Sequence, residues 1–151
     1  MENIEHNKSL DQYIILVEFL GKYLGSNYEI ILHDLSRMPD TIISIANNEL
    51  SGRKVGGPIT KSALQMLQEE VYNEKEYVIN YVGKTGDKTF RSATMFIKDE
   101  ISKEVIGLLC INFDDSKFEE LHKNLFGIIH PGNWKFGNVE KIFDEKDDEA
   151  K

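Results

Sequence analysis

The stretch that decides the fold is Val105-Ile106-Gly107-Leu108-Leu109-Cys110-Ile111-Asn112-Phe113. It is apolar at both its odd and its even positions, and only Gly107 and Asn112 interrupt the pattern. A strand covered on one face alternates apolar and polar residues, whereas a strand buried on both faces does not. The stretch therefore predicts a central strand over residues 105–113 with other elements on both sides of it.

Four more strands are predicted around this one. Residues 76–82 and 89–98 are runs rich in β-branched and aromatic side chains, and a turn-forming segment over residues 83–88 joins them. Earlier in the chain, residues 28–35 and 41–47 are short apolar runs with Pro39 between them, and a proline does not sit in a central strand. We interpret this earlier pair as a β-hairpin.

Capping signals predict three helices. A capping box at residues 9–12 opens an apolar pattern of helical spacing over residues 10–24. Thr60 and Ser116 open two further helices. The first of these is expected to run as far as Tyr72 and the second to end before Gly127. The predicted fold class is α+β, with a five-stranded antiparallel sheet and flanking helices.

Composition limits the function. The 151 residues are 40% hydrophobic, which suits one compact domain, and the net charge is -8. Nucleic-acid affinity depends on clustered lysine and arginine, and because no such cluster is present we predict no direct nucleic-acid binding by this chain. With no secretory signal and no apolar stretch long enough to cross a bilayer, we expect a cytoplasmic protein without a membrane partner.

Two arginines are the first candidates for ligand binding. The chain has three arginines against fifteen lysines; Arg53 lies in the loop Ser51-Gly52-Arg53-Lys54-Val55-Gly56-Gly57-Pro58-Ile59-Thr60, and Arg91 lies in the strand Phe90-Arg91-Ser92-Ala93-Thr94. A guanidinium binds carboxylate or phosphate in two places at once. We expect both arginines to reach one ligand, or else to pair with an internal carboxylate such as Asp34, Asp99 or Asp114.

Four further residues are candidates for the same site. Ser92 and Thr94 place hydroxyls between aromatic rings on one face of a strand, which is typical of a ligand pocket, although such hydroxyls also bond neighbouring backbone. Asn47 could direct its amide to the site or make a turn, and His33 could contact the ligand or end an apolar strand.

No metal, cofactor or catalytic residue is predicted. The histidines His6, His33, His122 and His130 share no metal-ligand spacing. Cys110 lies in an apolar run, which raises the pKa of a thiol and disfavours a nucleophile. No paired carboxylates or Ser-His-Asp arrangement can be assembled, so we do not expect an enzyme.

The order of these motifs resembles the YheO-like PAS domain of bacterial transcriptional regulators. The resemblance covers roughly residues 10–125 and rests on His33-Asp34-Leu35, the Ser51–Thr60 loop, the Arg-Ser-x-Thr strand at residues 91–94, and the run from Gly107 to Asp114. It implies the sheet order 2-1-5-4-3 and a sensor of an unknown small cytosolic molecule, placed before a helix-turn-helix. We assign the PAS domain to residues 1–126 and a C-terminal extension, without a helix-turn-helix, to residues 127–151.

The first helix also predicts a homodimer. Ile15, Leu16 and Phe19 add apolar residues beyond one buried face, and excess apolar surface favours a partner. The alternative function is therefore a dimerisation or protein-interaction module without a ligand. The charged residues 144–151 are expected to be disordered.

Overall fold

The computed structural model describes residues 4–132. These residues form an antiparallel five-stranded sheet and three α-helices. The helices are α1 (Asp11–Leu24), α2 (Lys61–Gln68) and α3 (Ser116–Ile129), and the strands are β1 (Tyr28–Asp34), β2 (Ile42–Ala46), β3 (Tyr77–Thr85), β4 (Lys88–Lys98) and β5 (Val105–Phe113). The sheet order is β2-β1-β5-β4-β3, which confirms the predicted topology. The contacts between residues group the chain into two compact units, Met1–Asp115 and Ser116–Lys151.

Strand β5 is central, as its apolar pattern predicts. It pairs with β1 on one side and with β4 on the other. Cys110 lies opposite Ile31 of β1 and opposite Thr94 of β4, so all three side chains lie on the same face of the sheet.

Each face of the sheet carries its own apolar core. On one face, which we call the α1 face, Leu10 and Val17 pack with Ile30, Leu32 and Leu109. The opposite face is called the α2 face because Ala63 of α2 packs on it, with the neighbours Ile31, Ile42, Phe96, Leu108 and Cys110. Burial of each large aliphatic side chain contributes roughly 1.5 to 3 kcal/mol, so both layers stabilise the sheet.

The turn between β3 and β4 is shorter than the sequence predicts. Strand β3 continues to Thr85, and only Gly86 and Asp87 separate it from β4. Gly83 therefore lies inside β3, where a Cβ atom would overlap the hydroxyl of Ser92. This glycine permits close packing between two strands, although in the sequence it resembles a turn residue.

The second and third helices also differ from the predicted limits. Helix α2 ends at Gln68 instead of near residue 72, because Glu70 adopts a left-handed φ of 53° before a 3-10 turn over Val71–Asn73.

The prediction that the third helix ends before Gly127 is wrong. Helix α3 runs through Gly127 to Ile129. It ends shortly before Pro131, because a proline disfavours helical geometry in the residue that precedes it. The predicted boundary after residue 126 lies inside α3, and the predicted disorder of residues 144–151 lies outside the described residues.

Candidate ligand-binding cavity

The glycine-containing loop between β2 and α2 is attached to the start of β2. The Gly56 amide donates to the Ile42 carbonyl at 2.7 Å, and the Ile42 amide donates to the Gly57 carbonyl at 3.2 Å. Gly52 and Gly56 have φ values of 78° and 83°, which lie in the left-handed region that glycine tolerates best. The loop is thereby held along the α2 face of the sheet.

The loop is joined to the sheet by a buried carboxylate, Glu29 of β1. Asn112 Nδ2 donates to Glu29 Oε1 at 3.0 Å, and the Ser51 hydroxyl donates to Glu29 Oε2. The guanidinium of Arg53 lies 3.7 Å from Glu29 Oε1. Because an isolated buried charge is very costly, these neighbours are what allow a fully buried glutamate at this position.

Hydrogen bonds continue this network across the sheet. The Ser92 hydroxyl of β4 donates to Asn112 Oδ1 at 2.7 Å, and Asn112 of β5 donates in turn to Glu29 of β1. Three adjacent strands and the loop that carries Ser51 and Arg53 are thus linked by side chains. Since all the strand members are buried, the network is shielded from water.

A cavity of about 770 Å³ lies beside this network. One wall is made by the loop and the first turn of α2, and the other by β3 with its turn. Its floor comes from β1, β4 and β5, through Ile31, Phe90, Ser92, Cys110 and Asn112. The volume lies within the range of roughly 300 to 1,000 Å³ that small-molecule sites occupy, and the floor combines apolar side chains with a few fixed polar groups.

The hydroxyl of Thr94 on β4 bonds to side chains. Thr94 Oγ1 lies 2.7 Å from the Tyr81 hydroxyl and 3.2 Å from Cys110 Sγ. Burial raises the pKa of Tyr81 above its ordinary value and raises the pKa of the Cys110 thiol to about 11. Both groups are therefore protonated near neutral pH. Thr94 bonds to both of these cavity residues and so fixes their positions.

The structure does not bring Arg91 to Arg53. Side chains alternate along β4, so Arg91 lies on the face opposite to Phe90 and Ser92, which line the cavity. Its guanidinium stacks 5.1 Å from the ring centroid of Phe113 and donates to Asn80 Oδ1 at 3.1 Å. The expected convergence of the two arginines is therefore corrected: only Arg53 lines the cavity.

Arg53 does pair with an internal carboxylate, but its partner is Glu29, which the sequence analysis did not consider. Asn47 makes the turn, with a left-handed φ of 58°. Its side-chain amide donates to the carbonyls of Gly21, Gly25 and Tyr28 at 2.8 to 3.1 Å, and it does not line the cavity.

His33 is buried on the α2 face, opposite Leu108 in the β1–β5 register. Its Nδ1 lies 2.7 Å from Thr41 Oγ1, and its Nε2 has no hydrogen-bond partner among the described residues. Burial and the nearby charge of Arg53 lower the pKa of His33 to about 4. The imidazole is therefore neutral near pH 7, and it does not line the cavity.

Several site residues were missed from the sequence. Glu29 is a lone carboxylate inside the strand Tyr28-Glu29-Ile30-Ile31-Leu32, and an acid in such a run is a signal of a buried polar role. Ser51 and Asn112 lie in the recognised motifs, but neither was predicted to be a site residue.

Within residues 4–132, no group of three His, Cys, Asp or Glu side chains is arranged as a metal site. Nor does this part of the chain contain a helix long and apolar enough to cross a membrane.

The fold is that of a PAS domain, and comparison with known proteins identifies which kind. The sequence model of the YheO-like PAS domain family matches residues 4–130, and the chain belongs to this family.

Curated proteins from two bacteria are similar to the chain. The chain is 36% identical over 114 residues to YheO of Escherichia coli K12, an alignment that covers 74% of this chain and 47% of YheO. It is 31% identical over 110 residues to an uncharacterized protein of Haemophilus influenzae, covering 73% of this chain and 49% of that protein. The chain thus spans about half the length of the curated relatives it matches.

Among solved structures, the PAS domain of a protein from Colwellia psychrerythraea is similar. It aligns with a TM-score of 0.45 and 18% identity, and the alignment covers 73% of this chain and 99% of that domain.

Proposed function

We propose that this PAS domain senses a small molecule and regulates transcription through the conformation of a homodimer. The observation that carries the proposal is the cavity of about 770 Å³ beside the Glu29–Asn112–Ser92 network. The cavity has the size and the mixed lining of a ligand site, and one of its walls is the loop that Ser51 and Arg53 join to Glu29.

A route from the cavity to the opposite side of the sheet follows from β1. Arg53 faces the cavity and is paired with Glu29 on the α2 face of β1. The next residue, Ile30, packs on the α1 face with Val17 of α1. A ligand that bound one arrangement of Arg53 more tightly would shift the population of that arrangement, and β1 would transmit the change to α1.

The role we propose is regulatory and not catalytic. The resemblance to transcriptional regulators supports it, as does the protonated state of the cavity groups Tyr81 and Cys110. Acidic residues outnumber basic ones by 26 to 18 in the chain, so contact with DNA would fall to residues outside this domain.

The cavity can be tested by filling it. Ser62 lies half-buried in the first turn of α2 and lines the cavity. We expect Ser62→Trp to abolish retention of any small molecule that the wild-type protein retains after equilibrium dialysis against a small-molecule extract of bacterial cytosol. Retained compounds are identified by mass spectrometry.

Ser26→Trp is the matched control, because Ser26 is exposed in the turn between α1 and β1 and does not line the cavity. It should retain what the wild type retains. Failure of the wild-type protein to retain any compound would overturn the sensing function, as would equal retention by a folded Ser62→Trp variant.

Dimerisation is supported by an exposed apolar stripe on α1. Ile15, Phe19 and Tyr23 are 59%, 60% and 78% exposed, and the Phe19 and Tyr23 rings stack at 6.2 Å. Their four-residue spacing is symmetric about Phe19. An antiparallel pairing of two copies would place Phe19 against Phe19 and Ile15 against Tyr23, as a two-fold interface requires.

We expect sedimentation at micromolar concentration to show twice the 17.4 kDa mass of one chain for the wild type and a single-chain mass for Phe19→Glu. Ile101→Glu is the control, because Ile101 is 93% exposed but lies in the β4–β5 turn. A wild-type monomer would exclude the dimer, and a dimer that survived Phe19→Glu would move the interface away from α1.

A further inference from the structure

We propose that the molecule bound in the cavity is a small organic anion, with a carboxylate or phosphate group held by Arg53 and an apolar body over Ile31 and Phe90. This inference rests on the proposed sensing function and adds the chemical class of its ligand.

The charge of the cavity lining is the first observation. Arg53, Lys54 and Lys61 line the cavity, and no aspartate or glutamate is among the described residues that do so. Lys84 also borders the cavity, but it pairs with Thr89, so its side chain lies on the same face of the sheet as Arg91. The chain as a whole carries a net charge of -8, so its acids lie elsewhere. Three cations around one cavity of an acidic protein raise the local concentration of anions and favour their binding.

The hydrogen-bonding state of Arg53 is the second observation. Its distance of 3.7 Å from Glu29 is longer than a hydrogen bond, and the guanidinium makes no hydrogen bond to any described residue. Its side chain is 21% exposed. A guanidinium has five donors in a planar fork, and here those donors are available to a bidentate acceptor in the cavity.

Glu29 does not compete for those donors as a free carboxylate would. Its two oxygens accept hydrogen bonds from Asn112 and Ser51 and are withdrawn from water behind the cavity lining. Lys54 and Lys61, in contrast, are exposed. Their positive charge is therefore accessible at the cavity, whereas the Glu29 carboxylate is engaged by the protein.

The first turn of α2 adds to this potential. Thr60, Lys61 and Ser62 line the cavity, and the Thr60 side chain already caps the Ala63 amide at 3.2 Å. The N-terminal end of a helix carries a partial positive charge and favours anions. Ile31 and Phe90 form the nearly buried apolar floor of the cavity, and the more accessible Pro58 and Ile59 line it as well. This apolar lining indicates an anion with an organic body.

The test is the equilibrium dialysis described above, with the cytosolic extract as the probe and with charge variants of the full chain. We expect the retained compound to be anionic at pH 7. Its affinity should fall by more than about ten-fold in Arg53→Gln, because a charge-assisted hydrogen bond contributes at least that factor. It should fall by a smaller factor in the double variant Lys54→Gln with Lys61→Gln, because water and salt screen these exposed charges. Added salt should lower the affinity as well.

The control pair is Lys22→Gln with Lys75→Gln, which removes the same charge from exposed residues outside the cavity and should leave affinity unchanged. A net charge of -8 repels anions from the protein as a whole, so retention of an anion cannot arise from net charge. Mass spectrometry distinguishes a carboxylate from a phosphate compound.

The outcomes separate this inference from the function on which it rests. If the protein retains a neutral or cationic compound and Ser62→Trp abolishes that retention, the anionic class of the ligand is contradicted and the sensing function stands. Retention of an anion with equal affinity in both double variants and in Arg53→Gln would place the anion outside this cavity and overturn the inference. Retention of nothing would overturn the sensing function itself.

Discussion

Replacing Gly107 by valine should lower the free energy of unfolding by about 3 kcal/mol, because there is no room for a side chain at this position of β5. A Cβ atom on Gly107 would lie 2.7 Å from the backbone oxygen of His33 and 3.0 Å from Leu10 Cδ2. The first of these atoms belongs to the paired strand β1 and cannot rotate away. Strands β1 and β5 would have to separate, or the apolar core on the α1 face would have to shift.

Urea denaturation monitored by circular dichroism measures this effect directly. For a domain of this size, a loss of about 3 kcal/mol corresponds to a melting temperature lower by about 10 °C. Gly127→Ala is the control, since Gly127 lies inside α3, where alanine is favoured over glycine by roughly 0.5 to 1 kcal/mol. If Gly107→Val were as stable as the wild type, the close approach of β1 and β5 would be wrong.

Acid should destabilise the protein through His33. Its pKa is about 4 in the folded protein against an ordinary value of 6.5, because burial and the charge of Arg53 disfavour the imidazolium. Between these two values the unfolded chain binds more protons than the folded chain. Stability is therefore complete above about pH 6.5 and is lost as pH falls toward 4, by about 3 kcal/mol in total.

The measurement is the difference between wild type and His33→Asn in the free energy of unfolding at pH 7.5, 5.5 and 4.5. Carboxylates titrate in both proteins, so the difference isolates His33. It should shrink with falling pH, because the wild type alone loses the histidine contribution. His122→Asn, at an exposed position, should run parallel to the wild type. A constant difference between wild type and His33→Asn would show that His33 is not held neutral.

Most of the fold could be predicted because apolar periodicity reports burial. The run of β5, apolar on both faces apart from Gly107 and Asn112, predicted its central place, and its limits at Val105 and Phe113 agree with the structure. Glycine was less informative. Gly83 and Gly127 were interpreted as signals of a turn and of a helix end, but one allows two strands to approach and the other is simply tolerated inside a helix. Sequence spacing alone does not distinguish these uses.

The candidate site could be predicted only in part, since it depends on which face of the sheet each residue occupies. Arg53 and Ser92 line the cavity, whereas Arg91, next to Ser92 in the sequence, lies on the other face. Glu29 and Asn112 are distant in the sequence and meet only through the register of β1 and β5. Residues 83–85 border the cavity because β3 extends further than its pattern indicated.

Helix α1 is fastened at both ends, and this restricts how it can move. At its C-terminal end Asn47 bonds three backbone carbonyls, and just before its N-terminal end the Asn7 amide donates to the Asp34 carboxylate at 2.7 Å. Sliding of α1 along the sheet would break both attachments. These attachments couple helix α1 to the sheet, and we expect a displacement of β1 to move Phe19 with it.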